Sequence, residues 1–358
     1  MVTNTPQGGM DMNNGDFNFK IFNSVLMKIK AEAATKGGIC QIPDGIQEIS
    51  HFAFQSEYCA NITEVIIPSS VKEVNFPFSH CSALERITVD AENQHYQAIE
   101  GNLYTKDGAT LVTYAPASKR IQFCIPEGVK TIETIAFANC SLEELVIPSS
   151  VNNIKNAALG GNIKHLLVDD GNTAYCVRDG LLLTKDNKTV LRYVGDESTV
   201  EVPLGVTNIA TGAFARATLA NITLPDTVQT IGNGVFSDCL NLKTVTLPQS
   251  LTSIEQYAFY GCKKLAGIAL PDSLKSIGRN TFEGCSSLTE IAIPQGVTEL
   301  DGKMFGRCTA LKSVTIPQSV ANISVFAFAD CASVTIKGQA NSYAQTFAKE
   351  QGMTFLEI

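Results

Sequence analysis

Residues 242–262 read LKTVTLPQSLTSIEQYAFYGC, and residues 265–285 read LAGIALPDSLKSIGRNTFEGC. Both open on Leu, run through alternating apolar positions to a proline, place a Ser two residues on, and close with Phe and Cys. Pro225, Pro248, Pro271, Pro294 and Pro317 stand 23 residues apart. A fixed period of that length marks one supersecondary unit repeated along an axis, each copy burying its apolar face against its neighbours. The spacing predicts a solenoid, and it moves the question of function from a pocket to a surface.

Working outward, Pro43, Pro68, Pro126, Pro148 and Pro203 extend the series, so ten of the thirteen prolines belong to it. The alternation before each proline, as at Val245 and Leu247, is that of a short strand with one buried face. Proline has no N–H for a ladder and ends the strand, and the Ser, Gly or Thr two residues later bends the chain away. Phe137, Phe214, Phe236, Phe259, Phe282, Phe305 and Phe328 recur at one coil position and should stack as a ladder in the core. Eight of the eleven cysteines (Cys59, Cys81, Cys140, Cys239, Cys262, Cys285, Cys308 and Cys331) recur at another. A position held in register points inward, where Cys acts as a small apolar side chain. An odd total without Cys-x-x-Cys fits free thiols in a reducing compartment.

The period breaks twice. Pro68 to Pro126 is 58 residues and Pro148 to Pro203 is 55. The extra residues lie near 90–120 and 169–198, where Lys106-Asp107-Gly108 and Lys185-Asp186-Asn187 separate apolar runs, a pattern that predicts β-hairpins lying against the stack. Residues 25–42 resemble a degenerate third copy. The expected organisation is a polar, disordered segment 1–18, an N-terminal cap 19–42, repeats over 43–336, and a helix and strand cap 337–358. Asn341 or Ser342 is the candidate N-cap of that helix and Gly352 its stop.

Composition excludes several classes. A net charge of −8 argues against nucleic acid. No apolar run approaches the ~20 residues that a membrane-spanning helix needs, so membrane insertion is not expected. Phosphate-loop, dinucleotide, nucleophile-elbow and zinc-protease signatures are absent, and His51, His80, His95 and His165 lie in separate coils. No catalysis, cofactor or metal is therefore expected. The acidic stretches Asp90–Asn93 and Asp169–Asn172 read as Asx turns rather than calcium loops.

The phrase Leu265-x-x-Ile268-x-Leu270 matches the leucine-rich repeat consensus, and Pro271, Ser273, Leu274, Ile277, Phe282 and Cys285 make it resemble the BspA-type, or Treponema-type, subclass. The resemblance spans about residues 38–358. It implies an α/β repeat: a curved leucine-rich-repeat solenoid of about 23 residues per coil, with a strand-lined concave face and short or irregular helical convex segments. Family members resemble surface proteins of host-associated bacteria and some protists, linked to adhesion, and the family offers no catalytic motif. The expected function is a non-enzymatic protein-interaction or adhesion module. The alternative is a carbohydrate-binding or enzyme-associated surface module, which would want exposed aromatic rings. The resemblance implies the cell surface or secretion, whereas the polar Met1–Asn18 has no signal-peptide pattern, which makes the cytoplasm the alternative.

A surface function falls to the outward strand positions. Immediately before the last inward residue of each strand stand Ile66, Thr88, Val146 and Leu167; two residues earlier stand Glu64, Arg86, Glu144 and His165. Charge beside bulky apolar residues is what a contact patch requires. The matching positions of the C-terminal half are small and neutral for the most part. These eight residues are the candidate partner-binding set. The expected partner is a protein, such as a host extracellular-matrix or cell-surface protein, met by a monomeric chain.

Overall fold

The structure, a computed structural model, describes residues 3–4, 9–14, 17–31, 38–55, 57–75 and 77–358. It divides into two compact units, Met1–Tyr175 and Cys176–Ile358. Both are β-solenoids of stacked coils with little helix.

In the first unit, β1 (Thr3–Asn4), β2 (Gly9–Asn14), β3 (Phe17–Phe22) and β4 (Val25–Ala31) form an antiparallel meander. Asn23 and Ser24 join β3 to β4 with φ of 48° and 62°, the two positive values that a two-residue hairpin turn demands. The segment 1–18, expected to be disordered, thus supplies β1, β2 and the start of β3 among its described residues. Pairing explains the difference: β2 runs in register with β3 from Gly9↔Phe22 to Asn14↔Phe17, and Phe19 and Ile21 bury their side chains.

The coils then begin with β5 (Ile39–Gln41), β6 (Glu48–Ile49), β7 (Glu64–Ile67), β8 (Glu73–Val74) and β9 (Arg86–Val89). These coils build two parallel ladders. The strands before the prolines stack as β5-β7-β9, and the two-residue strands after the turns stack as β6-β8. Between them the proline carbonyl accepts the N–H three residues on, as in Val71 to Pro68. The second ladder is written in sequence only as an apolar pair three apart, too short to show a strand period.

The first insertion is β10 (Tyr96–Ile99), β11 (Asn102–Thr105) and β12 (Thr110–Thr113). The coils resume with β13 (Gln122–Cys124), β14 (Thr131–Ile132), β15 (Ser141–Ile147), β16 (Asn153–Ile154) and β17 (Asn162–Val168). The insertion is a three-stranded meander rather than a hairpin lying on the stack. Its last strand, β12, pairs in parallel with β14 and occupies a rung of the second ladder. β4 does the same with β6, and Thr189–Tyr193 does so with Asn208–Ile209 in the second unit. One device is used at all three places: a meander whose last strand takes the rung of a coil.

In the second unit the strands before the prolines form two parallel sheets of their own, one of Thr199–Glu201, Asn221–Thr223 and Thr244–Thr246, the other of Glu290–Ala292 and Ser313–Thr315 continued by Thr335–Gly338 and Thr354–Glu357. The helix α1 (Tyr343–Glu350) is capped by Ser342, whose hydroxyl accepts the Gln345 N–H, and buries Ala344, Phe347 and Ala348 over the end of the core.

The core is an aromatic column. Phe214, Phe236, Phe259, Phe282, Phe305 and Phe328 stack with ring centroids 5.2–5.8 Å apart. Tyr193 of the meander heads the column at 5.5 Å from Phe214, and Phe347 of α1 ends it at 6.2 Å from Phe328. In the first unit Tyr114, just past β12, stacks on Phe137 at 5.2 Å in the same way. The two insertion meanders therefore each supply the ring that the missing coil would have carried. Burial of one ring contributes roughly 1.5–3 kcal/mol, and offset stacking about 0.5–1.5 more.

The cysteine position does more than fill space. The thiols of Cys239, Cys262, Cys285, Cys308 and Cys331 donate to the Phe carbonyl of the preceding coil at 3.0–3.2 Å. A buried carbonyl gains a second donor that Ala could not offer. Burial pushes the Cys285 thiol up to about 12, so it stays protonated and unreactive near neutrality.

Candidate interaction surface

The eight candidate residues fall on two sheets of the first unit. Glu64, Ile66, Arg86 and Thr88 belong to β5-β7-β9; Glu144, Val146, His165 and Leu167 belong to β13-β15-β17. The meander of β10 to β12 intervenes in the chain between them. The set is two patches, each with its own register.

On the first sheet Ile39, Glu64 and Arg86 align across the strands, as do Gln41, Ile66 and Thr88. Glu64 is not the open contact residue that its outward position suggests, since it is only 7% exposed. Arg86 on the next rung lies over it, donating from Nη2 to Oε2 at 2.6 Å, and the Thr88 hydroxyl donates to Oε1 at 2.8 Å. The Arg86 hydrogen bond holds the Glu64 carboxyl below the usual range, opposed by partial burial and helped by Thr88. Arg86 itself remains exposed and carries the accessible charge of this patch. Ile66 is half-buried, and Ile39 is exposed at the sheet's other edge.

On the second sheet Gln122, Glu144 and His165 form one row, and Cys124, Val146 and Leu167 the next. Neighbouring rungs lie about 4.8 Å apart. His165, Leu167 and Cys124 are exposed, with Leu167 at 49%, while Glu144 and Val146 are half-buried. This row is an apolar strip of three side chains edged by a carboxylate and an imidazole. Its members Gln122 and Cys124 escaped the sequence reading, as did Ile39 and Gln41. The signal was present: they stand two and four residues before Pro126 and Pro43, as Val146 and Glu144 do before Pro148.

In the second unit the corresponding row of Thr199, Asn221 and Thr244 is bonded along its own ladder. Asn221 donates to the Thr199 hydroxyl at 3.2 Å and accepts from Thr244 at 2.7 Å. Side chains already bonded along the ladder offer less to a partner.

Two buried asparagines tie the chain just after β9 and just after β17 to the turn of an earlier coil. Asn93, fully buried, donates from Nδ2 to the Pro68 and Val71 carbonyls at 2.8 and 3.0 Å, and its Oδ1 accepts the His95 and Tyr96 N–H groups at 2.8 Å each. Asn172 repeats the arrangement with Pro148, Val151, Ala174 and Tyr175. Asp90 and Asp169 make the Asx turns, accepting from Glu92 and Gly171. All four polar valences of each asparagine are met by backbone, which makes these segments structural bolts. Among the described residues no group of three or more His, Cys, Asp or Glu side chains is placed to hold a metal, and no helix is long and apolar enough to cross a membrane.

Comparison with solved structures shows the same fold in the pneumococcal vaccine antigen PcpA, with a TM-score of 0.59 and 19% identity over 97% of this chain and 98% of that one. A leucine-rich cell surface protein from Faecalibacterium prausnitzii matches at a TM-score of 0.48 and 19% identity, covering 96% of this chain and 97% of that one. A leucine-rich repeat protein from Eubacterium ventriosum matches at 0.45 and 18%, covering 90% and 85%. Comparison with curated proteins gave no match. The family model of the BspA type leucine rich repeat region matches residues 39–166 and 207–335 in six copies. These spans hold nine of the ten repeated prolines and all of the repeated Phe and Cys positions, and the chain belongs to the BspA-type leucine-rich repeat family.

Proposed function

We propose that the chain is a non-enzymatic protein-interaction or adhesion module that meets its partner through the outward rows of β13-β15-β17, with Arg86 and Thr88 on the neighbouring sheet as a second contact. The partner is a protein of the host extracellular matrix or a cell surface, and the chain acts there as a monomer, exported or displayed. One observation carries the reading: the aligned, solvent-facing strip Cys124–Val146–Leu167, flanked by His165 and Glu144. Apolar side chains edged by charge on a rigid ladder are the composition of a contact surface, and the core supplies the rigidity. Glu64 enters as a positioning residue for Arg86 rather than as a contact.

The test is binding of the full chain to a panel of purified extracellular-matrix proteins by biolayer interferometry. Covering a half-exposed Leu is worth about 1 kcal/mol, and a carboxylate forced into the same contact adds a desolvation cost. Leu167→Asp should therefore weaken binding by at least about tenfold with an unchanged melting temperature. Equal binding by the wild type and Leu167→Asp would remove this strip from the interface.

A further inference from the structure

The insertion interrupts the first ladder, and β9 is the last strand of its sheet. Among the described residues no strand pairs with its far edge. Arg86 and Asp90 direct their N–H groups toward β7, bonding the Thr63 and Ile67 carbonyls, so the alternate residues Ile87 and Val89 face the other way. The Ile87 N–H is closed by the Gly101 carbonyl at 2.8 Å. Beyond that bond the same edge carries the Ile87 carbonyl and the Val89 N–H and carbonyl.

This edge opens on a cleft of about 450 Å³, walled by Arg86–Ala91 on one side and by Tyr96–Ala98, Gly101 and Lys106 on the other. That volume lies within the usual range of ligand pockets, about 300–1,000 Å³. Asn93 holds the two walls to the Pro68 turn, so the cleft is built into the coil rather than formed by loose loops. Its cations stand on opposite walls: Arg86, whose Glu64 contact uses one amino group of the guanidinium, and exposed Lys106, whose Nζ touches the Ala91 carbonyl at 3.2 Å. Its one carboxylate, Asp90, is engaged by the Glu92 N–H.

The geometry points to a binding site for an extended, acidic peptide segment of a partner, which adds to the free edge of β9 as the next strand and sets its carboxylates against Arg86 and Lys106. Strand addition draws affinity from main-chain hydrogen bonds and specificity from the side chains that flank the edge. The inference deepens the functional proposal and rests on it only in taking the partner to be a polypeptide.

Fluorescence anisotropy on the full chain tests it with three labelled hexapeptides. One alternates valine with glutamate, one alternates valine with lysine, and one repeats the first with every second amide N-methylated. The acidic peptide should bind at least about tenfold more tightly than the basic one, as opposite charges at close range dictate. N-methylation should abolish binding, and Lys106→Glu should weaken it about tenfold, with Leu167→Asp leaving it unchanged. The inference is overturned if no peptide binds at millimolar concentration, if the acidic and basic peptides bind alike, or if the N-methylated peptide binds as well as its parent. Self-association of the chain that Lys106→Glu prevents would also overturn it, since the edge would then serve a second copy. Loss of peptide binding alongside matrix-protein binding that still depends on Leu167 sinks this site and leaves the outward-row proposal standing.

Discussion

Replacing Asn93 tests how the insertions are held. Asn93→Ala removes two donors to the Pro68 and Val71 carbonyls and the acceptor for the His95 and Tyr96 N–H groups. A net contribution of about 0.5–1.5 kcal/mol per hydrogen bond, less what a water admitted into the vacated space restores, gives a loss of about 2–4 kcal/mol. Asn172→Ala should cost the same, since its four partners are equivalent. Asn93→Asp separates the donor half of the side chain from the acceptor half. It keeps the His95 and Tyr96 bonds but turns a carboxylate oxygen toward two carbonyl oxygens, so burial and repulsion raise its folded-state pKa. A raised pKa means that the folded state holds the proton more tightly. Stability is then greatest below the unfolded carboxyl pKa, about 3.9, and is lost as pH rises through the folded value. Urea midpoints measured across that range for wild type, Asn93→Ala and Asn93→Asp provide the assay. A loss below about 1 kcal/mol for Asn93→Ala, or a pH-independent difference for Asn93→Asp, would refute the bolt.

Phe282→Ala, in the middle of the aromatic column, should destabilise by about 3–5 kcal/mol by urea unfolding; a change under about 1 kcal/mol would show that the column is not close-packed. The Glu64–Arg86 pair has a defined pH signature. Because the Glu64 carboxyl is lowered in the folded state, its contribution is present above the ordinary glutamate value, about 4.3, and is lost as pH falls through the folded value. Glu64→Gln should flatten that part of the stability profile, and an identical acid limb in the variant would contradict the pairing.

Local regularity made most of the fold legible. The spacing of Pro225 to Pro317 gives the coil, and the Phe and Cys positions give the core, because each is set by contacts with the same position one coil away. The outward rows were legible for the same reason, down to Cys124, which counting back from Pro126 would have added. What could not be read depends on which side chain reaches across a rung. Glu64 is buried because a long guanidinium on the next strand folds over it, and an alternation rule knows only that it points out. The second ladder has two-residue strands, below the length at which a period can be seen. The meanders looked like hairpins because their third strand, Thr110–Thr113 in the first, acquires its role only by pairing with Thr131–Ile132 about twenty residues on. The Asn93 bolt likewise spans 22 to 25 residues, and nothing local in Asp90–Asn93 distinguishes it from an ordinary Asx turn.

Cys124 offers the most direct measurement of the central claim, that the strand face of the first unit binds protein. It lies in the apolar row beside Val146 and Leu167 and is the one exposed thiol of the eleven, Cys176 and Cys331 being half-buried. Maleimide labelling of the native chain should modify Cys124 first, identified by peptide mass, and a saturating matrix-protein partner should suppress that labelling. A partner that binds while Cys124 reacts at its free rate would place the contact elsewhere on the molecule.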